Sequence, residues 1–120
     1  MKEITFNFEK LKIYQKALSF VDFVYKIARS FPKDEKYGLS SQYKRAAISI
    51  VLNISEGHGD TNLQFNRYLN IARNSIKECV TCSSIARRQN FISNDVDEQS
   101  RIKLEELAKM ISGLKRKLKE

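Results

Sequence analysis

Two cysteines three positions apart, Cys79-Val80-Thr81-Cys82, have a spacing that protein chemistry uses. Such a pair can hold half of a zinc site or run a dithiol–disulfide couple. Zinc takes about four ligands, and the chain offers no second cysteine pair and a single histidine. A redox pair draws its low thiol pKa from a helix N-terminus, whereas these two fall mid-helix. Cys79 continues the seam Phe65, Leu69, Ala72, Ile76, Cys79, Ala86, with Cys82 near the same face. Both read as small buried hydrophobes, and neither a metal nor another cofactor is expected.

The histidine, His58, stands between Gly57 and Gly59 and before Asp60. Imidazole catalysis needs a partner within reach and a group to orient it, and no nucleophile–base–orienter set accompanies this one. The glycines suit a turn between helices, and they lack the Lys-Ser/Thr ending of a phosphate loop. No catalytic residue is expected, and the chain reads as a non-enzyme.

A third constellation is polar. Gln42, Arg45, Asn53 and Glu56 occupy, with Ser49, a narrow strip of an otherwise apolar helix, and Ser75 and Glu78 sit correspondingly on the next. They read as a satisfied network fixing helix register or subunit orientation, with Arg45 pairing to Glu56 of a neighbouring helix or subunit. A ligand cleft is the competing reading.

The fourth constellation is basic. The chain carries a net charge of +8, from 22 Lys and Arg against 14 Asp and Glu, a balance that favours polyanionic partners. Lys115, Arg116 and Lys117, with Lys109 and Lys119, crowd the end of the last helix. Arg67, Arg73, Lys77, Arg87 and Arg88 run along the third against one acid, Glu78. Solvated faces, with cations favoured at a helix C-terminus, are one reading. Phosphate contact is the other, each patch being repeated by the copies of a symmetric oligomer. No aromatic-interleaved RNA motif and no helix-turn-helix is present, so binding is expected to read backbone and shape. Antiparallel packing sends Arg87 and Arg88 to one end of a bundle and residues 115–119 to the other, which makes them separate patches.

The elements that position these residues follow from the breakers. Among 120 residues, 42% are hydrophobic, with no Trp, one Pro and four Gly, a composition poor in the turn residues that many strands need. Pro32 stops a first helix, since it lacks a donor and disfavours helical geometry at Phe31. Gly57 fits a left-handed cap on a second, with Asp60, Thr61 or Asn62 capping the next. The stretch Asn90–Asp95 separates the last two. Four helices are predicted over 9–31, 39–57, 62–90 and 95–118, in one domain spanning 1–120 with an N-terminal arm over 1–8. Rods of similar length joined by short loops make an all-α, antiparallel, up-and-down four-helix bundle. Two cysteines form no disulfide framework, which points to a reducing cytoplasm. The opening Met1–Phe6 has no apolar leader, and no run approaches the roughly 18–20 apolar residues of a membrane span.

The first helix has more apolar surface than one bundle can bury. Leu11, Tyr14, Leu18, Val21, Tyr25 and Ala28 form one stripe; Ile13, Ala17, Phe20, Val24, Ile27 and Phe31 form a second, and Phe23 widens it. Packing against a single core needs an arc of about 100° or a little more, and this one is roughly double. In the second helix Leu39, Tyr43, Ala46, Ala47, Ile50, Val51 and Ile54 make one face, with Ile48 and Leu52 beyond it. Cover by another copy is favoured over cover by the arm, because the excess runs the length of the helix. The last helix has one seam, Leu104, Leu107, Ile111, Leu114 and Leu118, with Met110 beside it.

Several of these stretches recur together in one family. Leu11-Lys12-Ile13-Tyr14-Gln15-Lys16-Ala17, Ser30-Phe31-Pro32, Tyr37-Gly38-Leu39-Ser40-Ser41-Gln42, Arg45-Ala46-Ala47-Ile48-Ser49-Ile50 and Asn53-Ile54-Ser55-Glu56-Gly57 resemble the proteins encoded in intervening sequences of bacterial 23S ribosomal RNA genes. Phe65, Tyr68-Leu69, Ala72, Ser75 and Glu78 continue the likeness, which spans about 9–115. The family often has Trp where Tyr14 stands, and His58 matches nothing fixed in its pattern. The chain is also similar to the accessory variability determinants of diversity-generating retroelements. These resemblances imply an antiparallel four-helix bundle in a ring-shaped homo-oligomer, a pentamer, whose basic surface holds RNA or DNA and a nucleic-acid enzyme. An oligomeric scaffold for an acidic protein partner is the alternative.

Overall fold

Each of four helices ends where the chain supplies a reason to end it. The structure, a computed structural model, describes residues 3–119; Met1 and Lys2 of the expected arm lie outside it. The helices are α1 (Lys12–Ala28), α2 (Leu39–Gly57), α3 (Asn62–Arg88) and α4 (Asn94–Leu118), with short 3₁₀ turns at Asn7–Lys10 and Lys33–Glu35. Thr61 caps α3 by accepting from the Gln64 amide at 3.2 Å, and Ser93 caps α4 by accepting from Val96 at 3.1 Å. Two helices are shorter than their periodicity suggests. Leu11 is extended (φ −67°, ψ 130°), which detaches residues 7–10 as a separate turn before α1. At the end of α3, Asn90 takes a left-handed φ of 63°. The Phe91 amide then reaches back to the Ala86 carbonyl at 2.8 Å, a closure that caps the last carbonyls.

Gly57 has a different task from the left-handed cap expected of it. It closes α2 as a helical residue, and Gly59 takes the positive φ, 90°. What requires glycine at 57 is the start of α3: an added Cβ would stand 2.7 Å from Phe65 Cδ1 and 2.9 Å from Tyr68 Cβ.

In the bundle each helix packs on its neighbours in sequence, and α4 returns to α1. The α2–α3 seam is the most extensive, where Ala46, Ala47 and Ala72 are buried small residues, and the α1–α4 seam is the thinnest. Phe20, Val24, Tyr43, Ile50, Ile54, Leu69, Leu104, Leu107 and Ile111 fill the centre. Of the two stripes on α1, the one with Ile13, Ala17, Phe20 and Val24 is buried. The other is only partly covered, leaving Leu18 41% and Tyr25 39% exposed, and on α2 Leu52 is 52% exposed. The N-terminal turn covers one end of this face, where Phe8 packs edge-on against Tyr14 with ring centroids 5.2 Å apart.

Since the helix–helix approach leaves no room for a methyl group at position 57, Gly57→Ala should lower the unfolding free energy by about 1–3 kcal/mol. Denaturant titration of the variant checks this; unchanged stability would show that the α2–α3 corner yields freely.

Candidate nucleic-acid interface

Side chains from the first half of α3 and the second half of α4 meet across the α3–α4 seam. An Arg73 guanidinium nitrogen donates to Ser112 Oγ at 3.1 Å. Lys115 Nζ donates to Asn66 Oδ1 at 2.7 Å and also to Asn70 Oδ1. These contacts shape a hollow of about 220 Å³ lined by Arg73, Ser112, Lys115, Arg116 and Lys119. Four basic side chains border it, chiefly with their hydrocarbon stems, and no carboxylate lines it. The Lys115 ammonium is held by neutral amide oxygens, and its pKa is lowered by desolvation and then by the charges of Arg73 and Lys119. Basic side chains gathered around a hollow without a carboxylate favour an anion at its edge.

The opposite end of the seam also carries arginines, but carboxylates stand among them. The Asp97 carboxylate is buried, accepting from Ser83 Oγ at 2.6 Å and from Arg101 Nε at 3.0 Å. Arg101 also donates to Ser84 Oγ at 2.6 Å. Arg87 donates to Asn94 Oδ1 at 2.7 Å, and its Nε stands 3.9 Å from Asp97. The adjoining hollow of about 400 Å³ is lined by Asp97, Glu98 and Glu105 as well as by Arg87 and Arg101. Burial pushes the Asp97 carboxyl up, but the Ser83 and Arg101 hydrogen bonds and the charges of Arg101 and Arg87 outweigh it, leaving the pKa lowered.

The basic candidates thus separate. Arg73 joins Lys115, Arg116 and Lys119, although it stands far from them in sequence. Lys117 turns to the α1 side, where it lines a groove with Lys12 and Arg116. Lys109 pairs with Glu105 at 3.4 Å. Arg67, Lys77 and Arg88 are exposed and form no ion pair among the described residues, and Lys77 lines a hollow with Glu78. Arg87 is tied to the Asp97 clamp.

The polar set on α2 and α3 divides as well. Ser75 Oγ donates to Ser49 Oγ at 2.8 Å, and Asn53 Nδ2 donates to the Ser49 carbonyl at 2.7 Å. Gln42, Arg45, Glu56 and Glu78 are exposed, and Arg45 forms no ion pair with Glu56 among the described residues. Ser49, the hub of what does form, stands on the same polar strip of α2, but its role as hub is not readable from sequence pattern.

Nor does sequence pattern single out the buried pair Tyr43 Oη and Ser100 Oγ, 2.6 Å apart across the bundle diagonal. Burial pushes the Tyr43 pKa up to about 12. Its position on an apolar stripe is the available signal, because a buried hydroxyl needs a partner. Cys79 and Cys82 are both buried, and burial raises both thiol pKa values. His58 is half-buried, its ring edge-on to Phe65 at 5.9 Å. Among the described residues no group of three or more His, Cys, Asp or Glu is arranged to hold a metal, and no helix is long and apolar enough to cross a membrane.

A four-helix bundle with a basic seam is the class that fold and geometry define. The chain belongs to the 23S rRNA-intervening sequence protein family, whose model matches residues 9–113. A crystal structure of a protein of unknown function from the S23 ribosomal protein family of Bacteroides thetaiotaomicron VPI-5482 shares the fold. It has a TM-score of 0.78 at 21% identity, covering 86% of this chain and 97% of that one. No curated protein matches the chain.

The Asp97 clamp makes stability depend on acid pH. Because its folded pKa is depressed, the contribution is present above the unfolded value, about 3.9, and is lost as pH falls through the lower folded value. Asp97→Ala removes the acceptor of the buried Ser83 hydroxyl and the counter-charge of Arg101, and should lower the unfolding free energy by about 1–3 kcal/mol at neutral pH. Below about pH 4 the gap to wild type should shrink, as thermal melts across pH can check.

Proposed function

We propose that this protein binds the phosphate backbone of nucleic acid, without catalysis, as a homo-oligomer in the cytoplasm. The observation that carries this reading is the carboxylate-free convergence of Arg73, Lys115, Arg116 and Lys119 on one hollow. Folding brings these like charges together without a counter-charge, an arrangement that gains most from a polyanion. Guanidinium and ammonium groups are the usual phosphate contacts, and Ser112, whose hydroxyl accepts from Arg73, borders the same hollow. Self-association draws support from Leu18 and Tyr25 on α1 and Leu52 on α2, which one subunit leaves partly in water. A ring of copies repeats the hollow and multiplies its hold on phosphate.

Fluorescence anisotropy with labelled RNA and DNA tests the binding. Affinity should fall steeply with salt, and Arg116→Gln with Lys119→Gln, which leave the contacts of Arg73 and Lys115 in place, should remove about 0.7–0.9 of log–log slope for each phosphate no longer neutralised. Arg87→Gln, at the neutralised end, should leave the slope unchanged. Absence of binding at about 50 mM salt, or an equal drop in both variants, would refute the reading.

For self-association, light scattering should give a mass several times the 14.0 kDa of one chain. Leu18→Glu with Leu52→Glu should reduce it. A monodisperse wild-type monomer would contradict the oligomer.

A further inference from the structure

The thin α1–α4 seam is closed along part of its length and open at one end. Toward the middle it is shut by the Lys16–Glu106 ion pair and by the Lys103 ammonium, 5.3 Å from the Phe23 ring centroid. Toward the start of α1 the helices part around a groove of about 470 Å³. Its floor is aliphatic, made by Leu11, Ile13, Met110 and Leu114, and Gly113 leaves it open by supplying no side chain. Its rim carries Lys12, Arg116 and Lys117, and no carboxylate lines it.

Those features select among occupants. A nucleic-acid base stacks between aromatic or guanidinium planes; this floor has no aromatic ring, and its single guanidinium, Arg116, stands on the rim. A small amphiphile needs a cavity that buries most of its surface, whereas this groove stands open to solvent. An amphipathic helix needs only one apolar face covered and leaves the other to water. The wall from Met110 to Lys117 spans about two helical turns, enough for aliphatic anchors one turn apart. Methionine adapts to such anchors, and three cations above the floor fit acidic residues flanking them.

We propose that this groove docks an acidic amphipathic helix of a partner protein. The site is distinct from the phosphate hollow, although Arg116 borders both.

The test uses the full chain with methyl-labelled methionine and leucine. The probes are two synthetic helical peptides of one leucine pattern, with glutamates or with lysines on the polar face, and laurate as a control. The glutamate peptide should shift the Met110 and Leu114 methyl resonances, and the lysine peptide should not. Lys12→Glu with Lys117→Glu should weaken the glutamate peptide by about tenfold. Gly113→Leu should abolish binding by filling the floor while keeping the fold, since an added Cβ meets nothing closer than an Arg116 nitrogen at 3.9 Å and leucine is the better helix former. The proposal is overturned if neither peptide shifts these methyls, if the lysine peptide binds equally, or if laurate alone shifts them. It is equally overturned if Gly113→Leu lowers the oligomer mass, because the occupant is then a second copy.

Discussion

Lys115 on α4 reaches Asn66 and Asn70 on α3, while at the other end of the same seam Asp97 on α4 accepts from Ser83 on α3. These hydrogen bonds pin the register of the two longest helices at both ends, and the site depends on that register. A slip of one helical turn, about 5.4 Å, would carry Lys115 away from its amides and bury Asp97 without its hydroxyl. Arg73 would also be parted from Ser112, its partner at 3.1 Å. Apolar seams such as Leu104, Leu107 and Ile111 tolerate sliding better than directional hydrogen bonds do. The polar pairs therefore select one of several packings that the hydrophobic effect alone would allow.

The pinned register gives the two ends opposite electrical characters. Where α3 ends and α4 begins, acidic residues fall among the arginines, and Asp97 ties Arg101 and Arg87 into structure. Where α3 begins and α4 ends, Arg73 faces Lys115 and Lys119 with only asparagines and a serine between them. Desolvation and mutual repulsion lower the Lys115 pKa there. Charge is thus consumed internally at one end and left available at the other. Arg87 holds the fold while Arg73 lines the hollow, although the two share a helix and a side-chain type.

Helix number, order and core faces were legible in the sequence because Pro32, the Gly57–Asp60 turn and the Asn90–Asp95 break stand between clear periodic runs. The ends of α1 and α3 were less legible, since Leu11 and Asn90 leave the helix through backbone angles that hydrophobic period does not encode. Gly57 illustrates another limit: a glycine at a helix end suggests a left-handed cap, but here the need is space beside Phe65 and Tyr68. Basic residues were visible one by one, whereas their grouping required the pairing of residues some forty positions apart, as with Arg73 and Ser112. The hub role of Ser49 and the part played by Ser100 stayed hidden because a small hydroxyl on a helix gives no signal until its partner is placed.

The central claim is that phosphate meets the uncompensated end of the α3–α4 seam. Ultraviolet cross-linking of the intact protein to single-stranded RNA, with mass-spectrometric mapping of the modified peptides, tests it most directly. Cross-links should concentrate in the peptides holding Arg73 and residues 112–119, and should fade there as salt rises. Cross-links centred on the peptides holding Arg87, Asp97 and Arg101 would contradict the account.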